Sequence, residues 1–159
     1  MEEILKLLEE DGRYTAEQLA AMTGKDLEYV EEILAKCEAD NILLGYTALV
    51  DWEKLDDETV TALIEVRTSP QRGEGFDRIA ERIYQYEEVE NLYLMSGSFD
   101  LCVVITGKTL KEVAHFVSAH LATLDGVTGT ATHFILKKYK EKHKIFSTQP
   151  EQEDRLLFV

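Results

Sequence analysis

With 159 residues, 45% hydrophobic and 30% charged, the chain has the balance of a folded protein of one domain or two small ones rather than a disordered one. Its formal net charge of −14 argues against generic adhesion to nucleic acid or to an anionic membrane unless a local basic patch intervenes. Two cysteines without CxxC or Cys/His spacing, no apolar run long enough to span a bilayer and an acidic opening unlike a signal peptide set metal, membrane and secreted classes aside, so a cytoplasmic protein without cofactor is expected.

In chain order, residues 2–10 place Ile4, Leu7 and Leu8 on one helical face and stop near Asp11-Gly12. In "TAEQLAAMTG" Thr15 is an N-cap, Gln18 holds the capping-box position, and Gly24 ends the helix after Leu19, Ala20 and Met22. A third helix, capped by Asp26, buries Val30, Ile33, Leu34 and Cys37 at i, i+3, i+4 and i+7. Three short helices with a tight turn between the second and third fit a winged-helix-like helix-turn-helix over residues 1–45.

From "ILLGYTALVDW" the period changes, and residues 46–57 read as a connector strand and linker ending in the acidic loop "DWEKLDDE". Over 58–138 the order is strand "TVTALIEVRT", breaker "SPQRG", helix "EGFDRIAERIYQY", strands "VENLYLMS" and "DLCVVITG", helix "LKEVAHFVSAHL" and strand "TGTATHFILKK". The first of these helices turns Phe76, Ile79, Ala80 and Ile83 inward, and the second, capped by Thr109, turns Leu110, Val113, Ala114, Val117 and Leu121 inward. The fold class is α+β, with a ferredoxin-like βαββαβ domain behind the helix-turn-helix. Such a sheet has helices on one face only; Tyr93, Met95, Val104 and Phe134 are expected on the other, an apolar surface that marks an interface. Residues 139–159 read as a tail, apolar again at "LLFV".

The helix-turn-helix, "LLGYTALVD", "GSFDLCVVITG" between the middle strands and "LDGVTGTATHFILKK" at the end, in that order, resemble the Lrp/AsnC family of feast/famine transcriptional regulators over nearly the whole chain to Lys138. The resemblance implies a one-component regulator that binds DNA, dimerises through its C-terminal sheets, assembles in many members to octamers, and binds a small effector, commonly an amino acid, between C-terminal domains. It places the ligand around the turn Gly97-Ser98-Phe99-Asp100. There Gly97 would let backbone approach a ligand and Asp100 would accept from an α-ammonium, with Met95 beside the turn and Thr130 and Thr132 adding hydroxyls from a neighbouring subunit. Each has a plainer reading: hairpin chemistry for the turn, ordinary strand threonines for the pair.

His115 and His120, at i and i+5, fall on different helical faces and make a poor metal pair, while His133 is a weak ligand or haem candidate. No G-x-S-x-G, H-E-x-x-H, P-loop or Cys/His dyad occurs, so enzymatic activity is not expected. The basic run "KKYKEKHK", residues 137–144, stands out in an acidic chain as a solvated strand end, a nucleic-acid contact or an ion-pair partner for another subunit's acidic domain.

One departure bears on function. Where the resembling family usually shows arginine within "VxxRixxLe", this chain has Ile33, and the helix turns outward Glu28, Glu31, Glu32 and Lys36. Residues 1–45 hold four basic and twelve acidic side chains, a balance of −8. Phosphate neutralisation supplies most non-specific affinity, so a DNA contact here falls to Lys25, Tyr29 and Lys36 and gains by oligomeric avidity. The alternatives are a ligand sensor that has lost DNA binding and an enzyme resembling the sirohaem decarboxylases, in which His133 would be the residue to watch.

Overall fold

Short-range capping sets the N-terminal helices. Helix α1 spans Glu2–Glu10, α2 Ala16–Thr23 and α3 Leu27–Ala39. At α2 the expected capping box is complete: Gln18 N–H donates to the Thr15 hydroxyl at 3.3 Å, and Thr15 N–H donates to the Gln18 side chain at 2.9 Å. Gly24 closes the helix in the left-handed region at φ 65°, where a side chain would be strained. Asp26 stands at the N-cap of α3 without a side-chain capping bond. Ile4, Leu8, Leu19, Ala20 and Val30 form the core of this unit, with Ile33, Leu34 and Leu43 packed against it. On α2 Leu19 and Ala20 face the core, and Met22 is half exposed.

The computed structural model describes residues 1–55, 59–69 and 75–146 and divides the chain into one unit, Met1–Val50, and a second that begins at Asp51. Residues 70–73 of the expected breaker, 56–58 of the acidic loop and "LLFV" lie outside the described residues. Residues 46–50, read as a connector strand, form no strand ladder with any of the described residues. Trp52–Leu55 forms one 3₁₀ turn instead.

The second unit contains β1 (Val60–Thr68), α4 (Asp77–Ile83), β2 (Val89–Leu94), β3 (Leu101–Gly107), α5 (Leu110–Phe116) and β4 (Val127–Phe134). The antiparallel sheet has the order β2-β3-β1-β4 expected of βαββαβ. Registers give transverse rows that alternate between faces: Leu92, Val103, Ile64 and Thr132 form one row, Leu94, Leu101, Val66 and Thr130 another, both on the helix side. There Ala62, Ile64, Val66, Leu101, Val103 and Ile105 pack on Ile79, Ile83, Val113, Phe116 and Leu121. Each of the larger side chains contributes about 1.5–3 kcal/mol by leaving water.

Three details differ from the sequence reading. After α5 the helix continues through one π turn, Val117–Leu121, with Ala122 N–H donating to the Val117 carbonyl at 2.8 Å. The extra residue in that turn puts Leu121 five positions after Phe116 on the same inward stripe; in the regular helix before it Val113 and Phe116 face the core at i, i+3, while Leu110 and Ala114 are exposed. Phe134 pairs with Ala62 and lies on the helix side, leaving His133 to face outward, because a shift of one residue exchanges faces along a whole strand. The stretch read as a tail begins with a small hairpin, β5 (Lys140–Glu141) and β6 (Lys144–Ile145). Among the described residues no helix is long and apolar enough to cross a membrane.

Candidate functional site

The outward face of α3 is as acidic in space as in sequence. Glu28, Tyr29, Glu31, Glu32 and Lys36 are all exposed, and Lys25 is exposed in the turn before Asp26. Tyr29 and Lys36, seven residues and about 10 Å apart along the axis, share a stripe, but Glu32 falls between them. The three residues expected to meet DNA are thus within reach of one surface and are interrupted by carboxylates. Cys37, on the opposite face, is buried.

The β2–β3 turn is built differently from a bare hairpin. Met95 N–H donates to the Asp100 carbonyl at 2.8 Å, and Asp100 N–H donates across to the Val66 carbonyl at 3.1 Å. The Asp100 carboxylate oxygen Oδ2 accepts from Thr68 N–H at 2.7 Å and from the Thr68 hydroxyl at 3.2 Å. It therefore holds the end of β1 where the register with β4 shifts between Arg67 and Thr68. Thr68 is the residue that sequence reasoning missed. It lies 32 positions away, and nothing in the local pattern pairs it with Asp100. Gly97 and Ser98 are exposed and Phe99 is half-buried. A Cβ built on Gly97 would meet nothing within 4 Å among the described residues, which leave open space before that backbone.

Thr130 and Thr132 are half-buried on β4, opposite Val66 and Ile64. Thr130 shares its transverse row with Leu101, the residue after the turn, and the two flank Val66 at a separation of about 10 Å. Within one subunit the structure brings Met95 to Asp100 together, sets Thr130 two strands away and Thr132 one row further.

At the centre of the sheet face without helices are the rows Tyr93, Cys102, Glu65 and Ala131, and Asn91, Val104, Leu63 and His133, flanked by the pairs Arg67–Gly129 and Thr61–Thr106. Of the four residues expected here, Tyr93 and Val104 are in these rows and Met95 continues the parity of Tyr93 past the end of β2. Near the centre His133 Nε2 lies 3.1 Å from Glu65 Oε1, so the imidazole already has a partner. Cys102 is only 4% exposed. Burial, and then the Glu65 carboxylate, push its thiol pKa up, which keeps it a protonated packing group rather than a nucleophile. Among the described residues no group of three or more His, Cys, Asp or Glu side chains could hold a metal ion.

Comparison with known proteins places this geometry. The family model for the Lrp/AsnC ligand binding domain matches residues 61–145, which takes in the hairpin as well as the sheet. YugG, an HTH-type transcriptional regulator of Bacillus subtilis, is 50% identical over 147 residues, 92% of this chain and 89% of that protein. LrpA, an HTH-type transcriptional regulator of Pyrococcus horikoshii, is 30% identical over 137 residues, 86% of this chain and 94% of its own length. In fold, the chain is similar to a transcriptional regulator of Neisseria meningitidis solved as its L-Met complex, with a TM-score of 0.69, 24% identity, and coverage of 87% of this chain and 89% of that one. These relatives are transcriptional regulators, not enzymes.

Proposed function

The chain belongs to the Lrp/AsnC family of transcriptional regulators, and from that premise we propose a cytoplasmic, homo-oligomeric regulator whose effector is an amino acid bound at the Met95 to Asp100 turn. The observation that carries the ligand reading is Gly97: nothing among the described residues needs a glycine there, yet its backbone stands open beside a turn clamped by Asp100 and Thr68. The likeness in fold to a regulator solved with L-Met supports an amino acid as the class. Asp100 Oδ2 is occupied by Thr68, so Asp100 acts first as the residue that positions the turn, and its charge reaches a ligand ammonium only through what remains of the carboxylate. Phe99 and Met95 supply apolar contact beside it, with Thr130 and Thr132 offered by a neighbouring subunit.

Screening amino acids by thermal shift is expected to find at least one stabiliser, worth about 2.7 kcal/mol at a hundredfold excess over Kd. Gly97→Ala meets no clash and should melt like the parent alone but lose most of the ligand response. If no amino acid stabilises the parent, or if Gly97→Ala responds as the parent does, the turn is not an amino-acid site.

The half-apolar face bearing Leu63, Val104 and Tyr93 is the surface through which two subunits pair, since a monomer would leave these side chains partly in water at about 25 cal/mol per Å². Sedimentation at micromolar concentration should show a dimer or a larger species; a clean monomer would remove both the interface and any site shared across it.

A second reading, a ligand sensor without DNA binding, rests on one specific feature, the carboxylates along the exposed face of α3. Lys25, Tyr29 and Lys36 are the DNA contacts under the first reading and surface residues under the second.

A further inference from the structure

A DNA-binding chain must neutralise phosphates, and α3 with its preceding turn offers only Lys25 and Lys36 for the purpose. Cations are concentrated elsewhere. Of the 17 lysines and arginines, five fall within residues 137–144. The single acid among them, Glu141, is met by Lys138 at 3.4 Å, so the segment as a whole keeps a net positive charge. Lys140 and Lys144 are exposed on opposite strands of the β5–β6 hairpin; Lys140 pairs with Ile145 and Lys144 with Glu141, so the two lysines stand on the two opposite faces of the ribbon.

Two further features mark this hairpin as more than a solvated strand end. Its tip is Lys142-His143, with φ of 43° and 66°. Two successive left-handed residues are the turn for which Asn-Gly is favoured, so a lysine and a histidine stand where an easier turn sequence exists. Its flanks also leave large apolar groups in water: Leu136 is 94% exposed, Tyr139 70% and Ile145 76%. Lys137 Nζ lies 5.2 Å from the Tyr139 ring centroid, making one mixed cationic and aromatic surface. Cations interleaved with apolar groups match a nucleic-acid strand, whose phosphates alternate with sugars.

We propose that the hairpin spanning residues 139–146 is a second DNA-contacting element, in which Lys140 and Lys144 neutralise backbone phosphates of duplex DNA. The proposal rests on the DNA-binding reading of the family fold and adds to it a surface outside the helix-turn-helix. A phosphate contact carries no base information, so it strengthens binding to all sequences alike and steepens the salt dependence.

The test is the double variant Lys140→Gln and Lys144→Gln in the full chain, titrated by fluorescence anisotropy against a random duplex and against the protein's own upstream region between 50 and 200 mM salt. The plot of log K against log salt should become shallower by about 0.9 for each phosphate no longer neutralised, about 2 per engaged subunit, with affinity at 0.1 M salt down roughly tenfold or more on both duplexes. Lys140→Arg with Lys144→Arg should restore the slope, and sedimentation of all three proteins should agree. If the parent binds DNA and the glutamine variant keeps its slope, the hairpin proposal fails while the DNA reading stands. If the variant changes the assembly in the absence of DNA, the hairpin serves the acidic face of another copy instead, and the proposal is overturned. A parent that binds neither duplex removes the DNA reading and this element with it.

Discussion

Asp100→Ala lowers the stability of the sheet unit by about 1–3 kcal/mol, the range for stranding a partly buried donor, whereas Asp100→Asn, which keeps an acceptor oxygen, stays closer to the parent. The cause is specific. Thr68 N–H and hydroxyl both donate to Oδ2, at the end of β1 where its register with β4 shifts, so removing the carboxylate strands two donors at once. Urea denaturation followed by circular dichroism measures the two losses. The pair of variants also separates two roles that alanine alone confuses. If Asn folds well but loses an amino-acid thermal shift, the negative charge reaches the ligand; if Asn responds like the parent, Asp100 serves only to hold the turn. Equal stability of Ala and parent would show that Thr68 finds another acceptor and that the clamp does not matter.

Local chemistry was legible and long-range pairing was not. Thr15 with Gln18, and Gly24, announce α2 within ten residues of sequence, because capping bonds join residues three or four apart. The βαββαβ order was legible for a similar reason: each element carries its own period. Phe134 shows the limit. Alternation says that Phe134 and His133 face opposite ways, but only the register with Ala62 decides which of them looks outward. After α5 a single π turn sets Leu121 rather than an i+4 residue beside Phe116 in the core, a break of period that no local pattern announces. The candidate site divides along the same line. Its turn could be read from "GSFD", while the clamp on Thr68 depends on two strands meeting from distant parts of the chain. The hairpin was visible as charge; its shape depended on two left-handed residues, Lys142 and His143, that have no strong sequence signal.

The acidic helix turns on the sign of one measurement. Replacing Glu28, Glu31 and Glu32 by glutamine should tighten association with a random duplex, since all three are exposed on the face that would approach phosphate and none is part of the buried set Val30 and Cys37. A charge pair about 8 Å apart in a wet interface is worth roughly 0.5 kcal/mol, so three removed repulsions amount to roughly tenfold in affinity per engaged subunit at low salt. The gain should shrink toward physiological strength, where the Debye length is about 8 Å. Gel shifts at two salt concentrations, on random duplex and on the upstream region, measure it. A loss of affinity confined to one sequence would instead mean that a glutamate accepts from cytosine amino groups and that the acids read bases. If neither the parent nor the triple variant binds any duplex, the cations of Lys25 and Lys36 are not a DNA surface, the helix-turn-helix is a structural module, and the sensor reading replaces the regulator.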